Sequence, residues 1–501
     1  MNPWNQQASM APGQSHFAAA ILVILVLLLW RLGFLAFFPY DLHGDEAQYW
    51  TWAQAIDWGY YSKPPVIAWL IAASTAVCGD GIFCVKLTSP LLYATTGLLI
   101  HAIASRLYGP REALIAAVLF VTLPAISLGS LVISTDAPLL FFWALGLLAF
   151  IRALERENGW GWWMLVGIAG GFGLLSKYNM SFFAVSAFLF LVGSREYRHW
   201  LMRPQPWVGA FIAGLIYLPN LVWNFRSGFA SYRHTHELSQ VEQAQLSLQG
   251  FAEFFGAQFG VFGPLLFGLL LFLVVLGGMR WWRESRTQLL VAFFLPWFVM
   301  VLTVSLLSRA HGNWSAPAYV SAVVLVGAWL AGSGRWRRVL LWASIVLHLL
   351  LAATLQHYDR VIAPLVGIHD STLDPFKRIR GWEVLGQEIT RIQQEHPGTS
   401  LLTQDRMLTA QLLYYVQPRM QQVVKWNPDG IVRDHYDLTT TLVEREGQDF
   451  LLVREGSRFP DELRAYFDHA EVVKTIRVPL YGDNSRIYGV FLMQGFRGYS
   501  P

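Results

Sequence analysis

The sequence predicts a polytopic α-helical membrane domain followed by a water-soluble α/β domain. Two observations predict this. Of 501 residues, 54% are hydrophobic and only 14% are charged, where soluble proteins carry about 25%. The charge is also unevenly placed, because residues 359–501 hold 36 of the 70 charged side chains. The chain thus divides into a membrane part at 1–358, with a first outer loop at 39–86, and a soluble part at 359–501 large enough for its own core. The membrane part is net +6 and the tail net −2. The basic balance belongs to membrane loops and gives no support to a nucleic-acid partner.

In chain order, the first apolar run is 17–38. The 16 residues before it contain no Lys or Arg, so it reads as a retained span and not a cleaved signal. Further apolar runs follow at 87–105, 113–133, 137–151, 162–176, 179–193, 207–223, 258–279, 288–307, 314–332 and 338–355. A twelfth run, 64–77, opens with Pro64-Pro65 and is short for a crossing, so it reads as an interfacial or re-entrant helix. The positive-inside rule supports that choice. If 64–77 does not cross, 13 of the 20 basic residues of 1–358 share one face, and nine of its 14 acidic residues share the other. The tail lies on the acidic, non-cytoplasmic face. Its helical patterns near 380–395 and 406–416 alternate with strand-like runs at 400–403, 421–425, 450–453, 472–478 and 487–493, which predicts a small α/β domain. The sequence has no phosphate-binding glycine loop, no metal-ligand Cys/His spacing and no internal repeat.

Candidate chemistry collects on the non-cytoplasmic face. Asp41, Asp45 and Glu46 directly follow the first span, with Tyr49, Trp50 and Trp52 behind them. Tyr60-Tyr61-Ser62-Lys63-Pro64-Pro65 comes next. Then follow Asp136 in Thr135-Asp136-Ala137-Pro138, Lys177 in Ser176-Lys177-Tyr178-Asn179, Arg226, Arg233, His234 and His236 in a long loop, and Arg309, His311, Asn313 and Trp314. Carboxylates and cations placed at span ends suit a lipid headgroup at the interface better than a transport path through the bilayer midplane. Lys or Arg would neutralise a lipid-linked phosphate as it leaves, and a carboxylate would orient or deprotonate an acceptor. Each residue also has a plainer reading. Asp136 is equally a helix N-cap, Lys63, Lys86 and Lys177 snorkelling anchors, the two histidines ordinary loop residues, and Asn313-Trp314 part of an interfacial belt.

Gly44-Asp-Glu-Ala-Gln-Tyr-Trp50 and Gly59-Tyr-Tyr-Ser-Lys-Pro-Pro-Val-Ile-Ala-Trp-Leu70 together resemble the ArnT-like and protein O-mannosyltransferase (PMT) glycosyltransferases. Ser134-Thr-Asp-Ala-Pro-Leu-Leu-Phe-Phe-Trp143, Gly173-Leu-Leu-Ser-Lys-Tyr178 and Asn313-Trp-Ser-Ala-Pro-Ala-Tyr319 extend the likeness across roughly 20–330. In the tail, 374–382 and 405–415 resemble bacterial members. The resemblance implies a GT-C fold with about 11–13 transmembrane helices. It implies an inverting transfer from a sugar on polyprenyl phosphate to an acceptor on the periplasmic side of the inner membrane. It maps the catalytic base to Asp45 and a second acidic motif to Asp136. The expected substrate-binding set is Glu46, Tyr61, Lys63, Lys177, Arg226, Arg309, His311 and Asn313, with Lys63 and Arg309 on the donor phosphate. No cofactor is certain, and a divalent metal held by Asp45, Glu46 and a loop histidine stays open. The expected partners are the donor, a lipid or glycan acceptor and membrane lipids, with lipid A or lipopolysaccharide the leading acceptor. A cell-envelope polysaccharide or protein hydroxyl, a lipid-sugar flippase and an envelope scaffold are the alternatives. Cys78 and Cys84 share an oxidising compartment under this reading, so a disulfide between them is expected as readily as two buried thiols.

Overall fold

A computed structural model describes residues 13–239, 246–281, 284–308, 310–366, 374–482 and 484–499. By packing, the chain forms two compact units. One comprises residues up to Ala36, Lys63–Leu70 and Lys86–Gln356; the other comprises Phe37–Ser62, Ile71–Val85 and His357 onward. The loop between the first two spans is thus largely part of the same unit as the tail.

The first unit is helical. Among the described residues, six helices are long and apolar enough to cross a membrane: Gln14–Ala36, Ile82–Leu107, Asp136–Leu154, Pro204–Arg226, Ser285–Leu307 and Arg335–Gln356. A pair bent by 113°, Leu248–Val261 with Pro264–Val275, makes a seventh if counted as one span. The other expected runs form shorter helices, such as Trp160–Ser176 and Ala316–Leu330. The run at 113–133 is broken because Pro124 has no N–H to donate, giving Pro110–Thr122 and Pro124–Gly129. Buried Arg31 donates to the Val121 carbonyl beside that break and to Ser127 Oγ at 3.3 Å. It satisfies an acceptor that the helix end would otherwise leave orphaned. The run at 258–279 bends at Gly263, which holds a positive φ of 90°. The helix Val66–Cys78 has 13 residues, about 20 Å at 1.5 Å per residue. That is too short to cross a hydrocarbon core of about 30 Å, in line with the expectation for 64–77.

The helix Asp136–Leu154 is the centre of this unit. Trp143 is fully buried, with the rings of Phe183 at 5.4 Å and Phe293 at 6.3 Å, both edge-on. About two turns further along, Phe150 packs against Trp163 and Phe293. Between Trp160–Ser176 and Pro204–Arg226 the backbones meet at Gly167 and Gly209, where an added Cβ would overlap the facing chain. Small residues serve this purpose between membrane helices, since close backbone approach replaces the hydrophobic drive that lipid removes.

The second unit contains a five-stranded sheet. Its strands are β1 (Ser400–Thr403), β2 (Val423–Lys425), β3 (Phe450–Glu455), β4 (Phe467–Pro479) and β5 (Ser485–Phe496), in the order β2-β1-β3-β5-β4. The first three are parallel, and β5 runs antiparallel to both β3 and β4. Leu402, Val424, Phe450, Leu452, Phe491 and Met493 form its core. At the end of β2, the buried Lys425 ammonium is neutralised by Asp434 and Asp437.

The first-loop helix Gly44–Ala53 packs on the tail helix Arg406–Tyr415. Gly44 has Met407 directly against it, in the space a side chain would need. Leu42 N–H donates to Tyr415 Oη at 2.8 Å, and Gln411 Nε2 donates to the Leu42 carbonyl at 2.9 Å. Trp50 Nε1 donates to Asp80 Oδ1 at 2.8 Å while its ring meets Tyr414 edge-on. The Asp80 carbonyl accepts from Tyr414 Oη and Arg419. Cys78 and Cys84 are joined in a disulfide that closes this short turn.

Candidate functional site

Within the membrane unit, three stretches far apart in sequence converge on Asp136. Thr135 is the N-cap of its helix but makes no side-chain capping bond. The Asp136 carboxylate is spent elsewhere, so the plain N-cap reading does not hold. Oδ1 accepts from Lys177 Nζ at 2.6 Å and Oδ2 accepts from Asn313 Nδ2 at 2.7 Å. The lysine and aspartate side chains are only 14% and 12% exposed, so the pair is held in a poorly screened setting where charge-assisted bonds are strong. Lys177 reaches this position because the chain turns extended right after Trp160–Ser176, at φ −160° and ψ 134°. Lys177 was expected in the substrate-binding set; here its charge is matched by Asp136.

Asn313 lies in the 3₁₀ turn Gly312–Ser315. That turn is bolted from two sides. Fully buried Gln258 accepts at Oε1 from Ser315 Oγ at 2.5 Å and from Tyr319 Oη at 2.6 Å, and donates from Nε2 to the Gly312 carbonyl at 3.4 Å. Trp297 Nε1 donates to the Trp314 carbonyl at 2.7 Å. Sequence reasoning did not single out Gln258, since one glutamine in an apolar helix carries no motif.

One residue beyond Lys177, Tyr178 Oη donates to Asn220 Oδ1 and accepts from Asn224 Nδ2. Tyr178, Tyr217 and Tyr232 line a mostly apolar cavity of about 610 Å³ with Leu174, Ser181 and His236. His234 and His236 lie on the helix Ala230–Ser239, where a loop was expected.

In the other unit the three carboxylates of the first loop part company. Asp41 is buried and accepts from Trp382 N–H at 2.7 Å, which holds the start of the helix Trp382–Glu395. Burial raises its pKa. Glu46 is 1% exposed and accepts from His43 N–H at 2.8 Å, closing a capping box on the helix Gly44–Ala53. Asp45 alone keeps a half-exposed side chain, at 44%. Its Oδ1 accepts from Arg406 Nη1 at 3.0 Å, and the same guanidinium donates to Gln48 Oε1. Glu46 was expected to bind substrate, but its carboxylate is turned inward to the helix cap. Arg406 escaped notice because an arginine beside an N-cap aspartate resembles an ordinary solvated helix start.

Behind this pair, Trp52 stacks on Tyr60 at 4.6 Å and 3°, and His435 meets both rings edge-on. Tyr61 is buried and Lys63 half-buried. Lys86 is fully buried and donates to the Leu131 carbonyl at 3.1 Å, so it is no snorkelling anchor. Arg226 is exposed at the end of its helix, and His311 is exposed with its ring edge-on to Trp314. Arg309 lies outside the described residues. Among the described residues, no three His, Cys, Asp or Glu side chains come together as a metal site would require. The set left open by the sequence, Asp45, Glu46 and a loop histidine, is not assembled among the described residues.

The family model for dolichyl-phosphate-mannose-protein mannosyltransferases matches residues 62–223. The lipid A galacturonosyltransferase RgtD of Rhizobium johnstonii is 29% identical over 84% of this chain and 87% of its own. The crystal structure of ArnT from Cupriavidus metallidurans bound to undecaprenyl phosphate superposes with a TM-score of 0.63, at 16% identity, covering 94% of this chain and 97% of that one. The chain is a glycosyltransferase of the GT-C fold, similar to the ArnT-like enzymes. An undecaprenyl phosphate-α-4-amino-4-deoxy-L-arabinose arabinosyl transferase of Pseudomonas fluorescens is 25% identical over 62% of this chain and 59% of its own. The shared fold accounts for the multi-pass helices and for the small C-terminal sheet.

Proposed function

We propose that the protein transfers a sugar from polyprenyl phosphate to lipid A at the periplasmic face of the inner membrane, with inversion at the anomeric carbon. A nucleophilic oxygen of the acceptor attacks the anomeric carbon. The bond from that carbon to the phosphate oxygen breaks, and polyprenyl phosphate leaves with the electron pair. The observation that carries the assignment of roles is the parting of the first-loop carboxylates. Asp41 and Glu46 are consumed by helix caps, and Asp45 is left with an accessible carboxylate oriented by Arg406. Asp45 orients the acceptor and takes the proton of an attacking hydroxyl. Asp136, held by Lys177 and Asn313, presents a fixed carboxylate to hydroxyls of the sugar or acceptor. Lys63 and Arg309 are assigned to the donor phosphate, with Arg226 and His311 at the same face. Likeness to RgtD along most of the chain favours a hexuronic acid as the sugar, and the arabinosyl relatives support an aminopentose as the second reading.

Mass spectrometry of lipid A and polyprenyl phosphates from wild-type and deletion cells tests the proposal. The expected result is loss of one hexuronic acid from lipid A with build-up of its polyprenyl-phosphate form. Loss of an aminopentose establishes the second reading. Donor build-up with unchanged lipid A moves the acceptor to polysaccharide or protein, and no change in either rejects the proposal.

A further inference from the structure

The tail sheet has a topological break that the catalytic assignment does not use. β1 lies between β2 and β3, both parallel to it. The chain leaves β1 for β2 on one side and later returns to β3 on the other. In open sheets this reversal leaves a crevice at the carboxyl ends of the diverging strands, where ligands bind. Here a crevice of about 210 Å³ lies at that point, lined by Gln404 and Asp405 after β1, Arg454 and Glu455 at the end of β3, and the Trp382 and Tyr488 rings.

We propose that this crevice binds one pyranose ring of the acceptor, the glucosamine disaccharide of lipid A, and so positions it for Asp45. Size comes first: 210 Å³ falls below the roughly 300–1,000 Å³ of sites for drug-sized ligands and suits a single ring. Charge comes second. The lining sets Arg454 against Asp405 and Glu455, which disfavours a bare anion. A sugar hydroxyl both donates and accepts, and this wall offers both kinds of group. The groups are also available. Neither Gln404 nor Arg454 has a side-chain partner among the described residues. Asp405 spends one oxygen on Leu408 N–H. Arg486 lies over the Trp382 ring at 5.0 Å, with its Nε 3.8 Å from Glu455. The last argument is placement. Asp405 lines the crevice, and the next residue, Arg406, holds Asp45 at 3.0 Å. One helix start thus connects the crevice to the proposed base.

This inference rests on the lipid A reading, and the test separates the two. The full-length protein in detergent is titrated with fully deacylated lipid A disaccharide, followed by saturation-transfer NMR, alongside transfer assays on intact lipid A. Arg454→Ala and Gln404→Ala remove side chains without partners, so the fold is retained. The expected result is at least tenfold weaker disaccharide binding and a raised KM for lipid A with kcat unchanged. Asp45→Asn is expected to lose transfer while still binding the disaccharide. Wild-type-like binding in both crevice variants, or no binding to the wild type, overturns the crevice proposal even when transfer to lipid A is intact. Absence of transfer by the wild type, with the disaccharide bound in the crevice, rejects the lipid A reaction instead.

Discussion

Replacing Asp136 by Asn removes one charge and little else, so its effect can be worked from the structure. Lys177 would keep its ammonium at 14% exposure with no countercharge. Truncating one partner of a buried pair costs about 3–5 kcal/mol, and the slight exposure here favours about 3. Lys177→Met leaves the Asp136 carboxylate with Asn313 alone, which should cost about as much. Independent effects would sum to about 6 kcal/mol in the double variant, but the double variant strands no charge. A loss near 3 kcal/mol is expected, which is a coupling of about 3 kcal/mol at the top of the range for contacting residues. Thermal unfolding in one fixed detergent reads this directly, since an unfolding entropy of about 2.1 cal/mol/K per residue makes each kcal/mol shift Tm by about 1.5 °C in a unit of this size. Each single variant should drop Tm by roughly 4–5 °C, and the double variant by no more than either. Transfer should fall about 100-fold in Asp136→Asn, the loss typical of removing one preorganised group that stabilises a transition state, without recovery in the double variant. A double-variant Tm loss equal to the sum of the singles would refute the pairing.

The other expectations concern single groups. Gln258→Leu should lower kcat about tenfold with KM for the donor held, because the Asn313 turn loses its bolt while the helices stay packed; Gln258→Glu, which keeps the acceptor oxygen, should restore part of the rate, and equal loss in both would deny the positioning role. Asp45→Asn should abolish transfer with Tm within about 2 °C of wild type, because a pair 44% and 33% exposed contributes about 1 kcal/mol or less; substantial turnover would remove Asp45 from the mechanism. His435 is held neutral by burial against Trp52 and Tyr60, its pKa lowered to about 4. The unfolded chain takes up that proton near 6.5, so stability is full above pH 6.5 and falls as pH drops toward 4. In His435→Phe the dependence of Tm on pH over that window should flatten, and an unchanged slope would assign it to another group. Unreduced protein should show no thiol reactive at Cys78 or Cys84, and labelling of both would deny the disulfide.

Much of this was legible in the sequence, for identifiable reasons. Asp136, Lys177 and Asn313 stand at the ends of apolar runs, where a charged or amide side chain is conspicuous, and the structure brings them together. The short helix at 66–78 was readable from length alone. What was not legible depends on partners distant in sequence. Asp41, Asp45 and Glu46 look alike in a row; a local capping bond from His43 N–H sets Glu46 apart, and the tail separates the other two through Trp382 and Arg406. The broken spans were hidden for a similar reason. Hydropathy averages over Pro124 and Gly263, so each interrupted helix reads as one run.

The docking of the first loop onto the tail also orders events in time. Asp45 and Arg406 are separated by 361 positions. At roughly 5–20 residues per second of synthesis, the loop emerges on the order of 20–70 s before its partner exists. During that interval Gly44 faces no Met407, and the proposed base has no guanidinium to orient it. A chain terminated anywhere before residue 406 would insert its spans yet never acquire an oriented Asp45. Catalytic competence would then report that the whole polypeptide has been made, and an unfinished copy could occupy the membrane without consuming the lipid-linked sugar.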